Sequence, residues 1–192
     1  MCGIFGYIGK GRASDKIYSG LEKLEYRGYD SCGVAVFNKD TKELTYSHHL
    51  SAPSDVEFRG ALPESFCGIG HTRWATHGVV SLPNAHPHRS CDNSVFLAHN
   101  GVIENADQIR KGLENEKCEF YSETDTEALV NLIAFFYNDS SEKDPVRSIN
   151  LALKEVEGTY KEIVTHQIDA EMWFDIRPPE VVAIEEALAT ID

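Results

Sequence analysis

The chain opens with Met1-Cys2-Gly3-Ile4-Phe5-Gly6, a glycine-punctuated apolar run that continues to Ile8. Such a run is typical of a buried β-strand, and here a cysteine directly follows the initiator methionine. If the methionine is clipped, Cys2 holds both a thiol and a free α-amine. An α-amine titrates near ~7.7–8.0, so part of it is unprotonated at neutral pH and can act as a general base toward the thiol. Cys2 is therefore a candidate nucleophile, although the position also suits the ordinary start of a buried strand.

Composition bounds the class of protein. The 192 residues suffice for one domain, and 18 basic against 31 acidic residues give a net charge of −13. Because this charge repels nucleic acid and anionic membrane surfaces, we expect neither as a partner. No apolar run approaches the ~18–20 residues that span a bilayer, and no signal-peptide pattern is present, which predicts a cytoplasmic protein. The five cysteines lack CxxC spacing and are expected to be free thiols.

Hydrophobic periodicity predicts an α+β domain with largely antiparallel sheets, because strands alternate with helices and some strands form hairpins. Ile17, Leu21 and Leu24 form one apolar stripe of a helix that Ser14 can cap and that Gly28 can end. The strands predicted at 31–38 and 43–49 should form a hairpin. Further strands are predicted at 66–72 and 94–99, a long loop at 77–93, and helices at 106–114, 124–136 and 144–157.

Several polar segments contain residue types that build binding sites. Arg73 with Thr76 and His77 could bind a carboxylate, because a guanidinium fork matches its two oxygens; a surface ion pair is the alternative. The pair His48-His49 is compatible with a metal site, but no cysteine or carboxylate completes a ligand set, so we expect no metal. The polar segments are HTRWATHG at 71–78, NAHPH at 84–88 and AHNG at 98–101.

Asn100-Gly101 and Asp125 each allow two interpretations. Locally, Asn-Gly after a strand is a strong signal for a hairpin turn. Its functional alternative is an oxyanion hole, in which the Asn side-chain amide and a Gly backbone N–H face one point. Asp125 precedes an apolar helix, where a capping or first-turn carboxylate is common, and it could instead hold a substrate ammonium group.

Taken together, the motifs resemble a known family. The segments MCGIFGYIG, LEYRGYDSCG, GIGHTRWATHG, NAHPH, HNGVIEN and SETDTE, in this order, resemble the glutaminase domain of glucosamine-6-phosphate synthases, the glutamine–fructose-6-phosphate amidotransferases. The resemblance covers roughly residues 2–160, and LEYRGYDS with HTRWATHG is its most specific part. It implies an N-terminal-nucleophile hydrolase fold, a four-layer sandwich with two antiparallel sheets between helical layers.

The resemblance also implies an activity. The Cys2 thiolate would attack the side-chain amide of L-glutamine, release ammonia, and leave a thioester that water resolves to glutamate. Neither a cofactor nor a metal is expected. The implied roles are an oxyanion hole at Asn100 and Gly101, a carboxylate grip at Arg73, Thr76 and His77, an amine contact at Asp125, a cover at Trp74, and pocket lining or bracing by Arg27 and His86.

Beyond residue 160 the resemblance ends. The segment 161–192 does not align, and a helix is predicted at 179–191. The family's isomerase domains are absent, so we expect a separate synthase domain or subunit to accept the ammonia. The sequence leaves open whether the second sheet is complete and whether the chain forms a homo-oligomer. Two alternatives also remain: a stand-alone subunit that supplies ammonia to a different synthase, and a non-catalytic regulatory remnant.

Overall fold

Antiparallel sheets form the centre of the fold. The computed structural model describes residues 2–38, 40–41, 43–56, 62–75, 79–166, 173–177 and 180–183. Within these residues one sheet has the strand order β1-β4-β2-β3 and the other the order β5-β6-β7-β8-β9. The strands are Gly3–Ile8 (β1), Ser31–Phe37 (β2), Leu44–His49 (β3), Cys67–Arg73 (β4), His88–Arg89 (β5), Val95–Ile103 (β6), Gly158–His166 (β7), Trp173–Arg177 (β8) and Glu180–Ala183 (β9).

The four helices predicted before residue 160 are present, with one capping residue placed differently. Asp144 caps its helix by accepting a hydrogen bond from the backbone N–H of Arg147, and a proline occupies the first turn, where it is tolerated. Ser14 is not a cap: it lies buried inside the first turn, and Arg12 takes the N-cap position. The helices are Ala13–Leu24 (α1), Ala106–Asn115 (α2), Asp125–Asp139 (α3) and Pro145–Glu155 (α4), with short 3-10 turns at Glu25–Arg27 and Pro53–Asp55.

Apolar side chains define four layers. On the outer face of the first sheet, Ile17 of α1 packs against Val34 of β2. On its inner face, Ile69 of β4 belongs to one cluster with Phe96 of β6, which joins the two sheets. The next residue, Leu97, points to the opposite side and packs with α2, α3 and α4, as expected from the two-residue period of a strand. The predicted four-layer α+β sandwich is confirmed.

Strand β6 runs straight through the predicted hairpin turn. Asn100 and Gly101 lie inside β6, where they pair with Lys161 and Tyr160 of β7. The turn prediction is therefore wrong. The reason is tertiary, because β6 pairs with β7 along its whole length, Asn100 and Gly101 included, and this long ladder outweighs the local preference of Asn-Gly for a turn. The predicted hairpin of β2 and β3, by contrast, is confirmed.

The chain beyond residue 160 contributes strands where it is described. Strand β7 crosses the expected boundary at residue 160 and pairs with β6 along its whole length. The helix predicted at 179–191 is wrong for Glu180–Ala183, which pairs as a strand with β8. Extending an existing sheet satisfies this backbone without an isolated helix. The remainder of that predicted helix lies outside the described residues. None of the described helices is long and apolar enough to cross a membrane.

Candidate active site

Antiparallel pairing brings Cys2 to the end of β4. Strand β1 pairs with β4 so that Gly3 lies opposite Thr72, and Cys2 therefore meets the residues that follow β4. The backbone N–H of Trp74 points to the Cys2 Sγ at 3.4 Å, and the Sγ lies 3.7 Å from the Trp74 carbonyl oxygen. Cys2 is partly exposed, as a nucleophile that must meet a substrate requires.

A guanidinium donor and an amide donor both point to the Cys2 backbone carbonyl oxygen. Arg27 donates its Nε–H to this oxygen at 3.1 Å, and Asn100 donates its Nδ2–H at 3.3 Å. Arg27 comes from the 3-10 turn after α1, whereas Asn100 comes from β6 of the other sheet. The structure thus brings three of the predicted site residues together at one point between the sheets.

The loop after α1 is fixed against the end of β4. The Thr72 hydroxyl donates to the Gly28 carbonyl, the Asp30 N–H donates to the Arg73 carbonyl at 3.1 Å, and the Ala75 N–H donates to Asp30 Oδ2 at 2.8 Å. A Cβ on Gly28 would lie 2.5 Å from the Arg73 carbonyl carbon. Gly28 has an extended backbone with φ −178, so it is required here for close approach and not for a left-handed cap.

Asp125 is tied to the strand that carries Asn100. It is the first residue of α3, and Thr124 takes the N-cap position and accepts from the Glu127 N–H. Asp125 Oδ2 accepts a hydrogen bond from the Ile103 N–H at 2.8 Å. This contact holds the carboxylate near the end of β6, in a half-buried position that leaves it reachable from the site.

The remaining predicted site residues differ in their surroundings. Arg73 is buried, at 5% exposed, and donates to the Val79 carbonyl at 3.3 Å. Trp74 is 43% exposed, and its ring lies 5.6 Å from that of Tyr29. His86 is buried, and its Nε2 lies 3.0 Å from the Thr126 hydroxyl. Thr76 and His77 lie outside the described residues.

A cluster of buried histidines lies beneath the site. The rings of His71 and His86 stack at 4.3 Å, and His86 meets His88 edge-on at 4.4 Å. The Thr126 hydroxyl lies 3.0 Å from His86 Nε2 and 2.9 Å from His99 Nδ1. Burial lowers the pKa of His71 to about 3 and holds the pKa of His86 and of His88 well below the ordinary value, so these rings are neutral.

Motif reading missed some of these residues. His71 Nε2 lies 2.9 Å from Asn100 Oδ1, which makes it a direct neighbour of the predicted oxyanion hole. Thr126 joins the histidines to Asp125, since its hydroxyl lies 3.4 Å from Asp125 Oδ1. Both residues lie inside motifs that carry the family resemblance, His71 in HTRWATHG and Thr126 in SETDTE. Their place in these motifs is the sequence feature that could have marked them as site residues. Among the described residues no group of His, Cys, Asp and Glu is arranged to hold a metal ion.

The geometry is suited to attack by a thiol on a carbonyl. The Asn100 amide contacts the Cys2 backbone carbonyl, and the Asp125 carboxylate of α3 is hydrogen-bonded to the end of the strand that carries Asn100. Such a set can bind a zwitterionic substrate at one end and stabilise negative charge at the reacting carbonyl at the other.

Comparisons with known proteins point to one family. Residues 54–143 match the glutamine amidotransferase domain family. The glutamine–fructose-6-phosphate aminotransferase of Thermus thermophilus is 43% identical over 173 residues, which cover 90% of this chain and 28% of the relative. The enzyme of the same name from Clostridium acetobutylicum is 44% identical over 160 residues, which cover 83% of this chain and 26% of the relative. The chain thus spans about a quarter of the length of these relatives.

Solved structures show the same fold. Glutamine phosphoribosylpyrophosphate amidotransferase from B. subtilis, solved with ADP and GMP, superposes with a TM-score of 0.72 at 26% identity, over 95% of this chain and 37% of the other. A structure described as the allosteric regulatory enzyme of purine biosynthesis gives a TM-score of 0.75 at 27% identity, over 93% of this chain and 37% of the other. The fold is that of the N-terminal-nucleophile hydrolases. The chain belongs to the glutamine amidotransferases and carries a glutaminase domain similar to that of the glutamine–fructose-6-phosphate aminotransferases.

Proposed function

We propose that the chain hydrolyses the side-chain amide of L-glutamine to glutamate and ammonia through a thioester on Cys2. The observation that carries this proposal is the convergence of Asn100 on Cys2: the amide Nδ2 lies 3.3 Å from the Cys2 carbonyl, although the two residues are 98 positions apart in sequence. A positioned amide donor beside a thiol nucleophile is the arrangement that amide cleavage requires.

Substrate recognition follows from the chemistry of glutamine. Its α-carboxylate needs a cationic partner, and Arg73 with Thr76 and His77 is the proposed grip. Its α-ammonium needs an anion, and Asp125 is the proposed partner. Trp74 covers the bound substrate, while Arg27 holds the Cys2 peptide through its carbonyl. His86 braces the site from below, through its contact with Thr126.

The reaction then proceeds in two steps. The α-amine of processed Cys2 takes the thiol proton, the sulfur attacks the amide carbon, and negative charge develops on the amide oxygen. Asn100 Nδ2–H and the backbone N–H of Gly101 stabilise that charge. Ammonia leaves with a proton from the Cys2 ammonium, and a γ-glutamyl thioester remains. Water adds to the thioester carbon, the C–S bond breaks, and glutamate and the free thiol are formed.

The ammonia needs an acceptor, which we place on a separate domain or subunit. The relatives are named glutamine–fructose-6-phosphate aminotransferases, and we propose that the acceptor here is likewise fructose 6-phosphate held by a synthase domain or subunit. We further propose a cytoplasmic location and assembly as a homo-oligomer. We also propose a glutaminase domain at residues 2–160 that contains every proposed site residue; since β7 crosses residue 160, the rest of that strand belongs to the same sheet.

The test is direct. The purified chain, with Met1 removed, is incubated with glutamine, and the glutamate formed is measured. A Cys2→Ala variant that folds like the wild type is measured in the same way for comparison. We expect glutamate from the wild type alone, and a glutamine-analogue affinity label should add one adduct at Cys2. If wild type and Cys2→Ala are equally inert while folded, the proposal is wrong.

A further inference from the structure

An asparagine in an oxyanion hole works in one orientation. The two ends of a side-chain amide have almost the same shape, but the NH₂ end donates hydrogen bonds and the oxygen end accepts them. If Asn100 presented Oδ1 to the reacting carbonyl, it would repel the developing negative charge that Nδ2 stabilises. A group that distinguishes the two ends of Asn100 therefore affects the reaction without touching the substrate.

The contacts of Asn100 assign its orientation. The Cys2 carbonyl oxygen can only accept, so the Asn100 atom 3.3 Å from it is the Nδ2 donor. Asn100 Oδ1 then faces His71 Nε2 at 2.9 Å, and His71 must donate from that nitrogen. The histidine is thus in the tautomer that carries its proton on Nε2.

His71 is itself held firmly. It lies on β4 with 0% of its surface exposed, between β1 and β2 of the first sheet. Its ring stacks on that of His86 with an angle of 19° between the planes. A ring fixed in this way offers its N–H in one direction, toward β6 of the opposite sheet.

We propose that His71 is a positioning residue for glutamine hydrolysis: its Nε2–H holds Asn100 Oδ1 and thereby directs the Asn100 amide donor to the Cys2 side. This inference deepens the proposed function and rests on it. During turnover the oxyanion competes with the Cys2 carbonyl for Asn100 Nδ2–H, whereas the His71 contact on the other end of the amide is retained. His71 therefore keeps the donor in place when the donor is in use.

The first experiment compares two amide replacements of similar polarity. In His71→Gln the terminal NH₂ reaches the place of the imidazole Nε2, and in His71→Asn it reaches only the place of Nδ1. We expect His71→Asn to lower kcat by about 10–100-fold with KM changed by less than about 3-fold, since loss of an oxyanion-hole donor costs about 10²–10³. His71→Gln should recover most of the loss. Equal losses in two folded variants would overturn the proposal.

The second experiment places His71→Asn on an Asn100→Ala background. If His71 acts through Asn100, the double variant should be no slower than Asn100→Ala alone, because the amide to be positioned is gone. If the two losses multiply, His71 acts elsewhere and the proposal is wrong. The folded fraction of each variant is measured by circular dichroism and the rates are expressed per folded chain, because a general loss of folding would lower both backgrounds and imitate multiplying losses.

A third measurement separates this inference from the proposed function. The ¹⁵N shifts of the His71 ring report which nitrogen carries the proton, whether or not the chain is active. An Nε2–H tautomer supports the contact with Asn100, and an Nδ1–H tautomer overturns it. A wild-type chain with the Nε2–H tautomer and no glutamate formation would refute the proposed function while leaving the assigned Asn100 orientation supported.

Discussion

The carboxylate of Asp125 accepts a hydrogen bond from the backbone N–H of Ile103 at 2.8 Å, which fastens the first residue of α3 to the last residue of β6. The strand that carries Asn100 therefore also fixes the proposed partner of the substrate ammonium group. Both ends of the proposed glutamine site depend on one strand. Rearrangement of β6 would be expected to affect binding and chemistry together.

Asp125→Asn should weaken glutamine binding with little change in stability. The asparagine oxygen can still accept from the Ile103 N–H, so the anchor is kept while the negative charge is lost. A hydrogen bond to a charged group contributes about 1.5–3 kcal/mol, which corresponds to a fall in kcat/KM of about 10–100-fold. Steady-state kinetics and a thermal unfolding curve check this. An unchanged kcat/KM would remove Asp125 from the proposed site.

Gly28→Ala should destabilise the fold and lower activity. The new Cβ would lie 2.5 Å from the Arg73 carbonyl carbon, so the backbone at Arg73 and Trp74 would have to move away from Gly28. That movement would displace the Trp74 N–H that faces the Cys2 Sγ. We expect a loss of about 1–3 kcal/mol of unfolding free energy, as is typical of overpacked sites.

The matched control is Gly112→Ala. Nothing lies within 4 Å of a Cβ at this position, which is on helix α2. Removing a helical glycine should raise the unfolding free energy by about 0.4–1 kcal/mol. Urea denaturation measures both variants. Similar losses at Gly28 and Gly112 would contradict the close-approach argument.

Stability should fall as the pH falls below about 6.5, the ordinary histidine pKa. Burial lowers the folded-state pKa of His71, His86 and His88, so these side chains stay neutral in the folded chain while the unfolded chain takes up protons. The contribution of these neutral histidines to the free energy of unfolding is complete above the histidine pKa of the unfolded chain. It declines at lower pH by up to about 1.4 kcal/mol per pH unit for each histidine, and for His71 the decline extends to a pH of about 3.

His88→Gln tests this pH dependence. Glutamine can keep a donor near Thr124 Oγ1, which lies 3.0 Å from His88 Nε2, but it does not titrate. Urea denaturation at a series of pH values between about 7 and 4.5 should show a shallower decline for the variant. A decline as steep as in the wild type would mean that His88 does not contribute.

Retention of Met1 should abolish glutamine hydrolysis. With methionine in place the α-amine lies one residue away from the Cys2 thiol and cannot serve as its general base. Preparations with and without Met1, separated and identified by mass spectrometry, should differ in glutamate formation while both remain folded. Equal activity would exclude the α-amine as the base.

Several features of the fold followed from local pattern. The apolar stripe of Ile17 and Leu21 on α1 and the start of α4 near residue 144 depend on neighbours a few residues away, so local sequence pattern predicted them. Local pattern failed at Asn100-Gly101, where continuous pairing of β6 with β7 overrides a turn preference. It also failed at Glu180–Ala183, whose backbone adds to an existing sheet.

By itself, the sequence determined which chemical groups are present: a thiol at position 2, an Asn-Gly pair, and a carboxylate at the start of a helix, in motifs that identify a family. The tertiary structure decided their contacts. That Asn100 meets both Cys2 and His71 depends on two sheets packing face to face, and such contacts between distant residues leave no periodic trace in the chain. Long-range packing sets the orientation of Asn100, and that orientation determines whether its amide faces Cys2 as a donor.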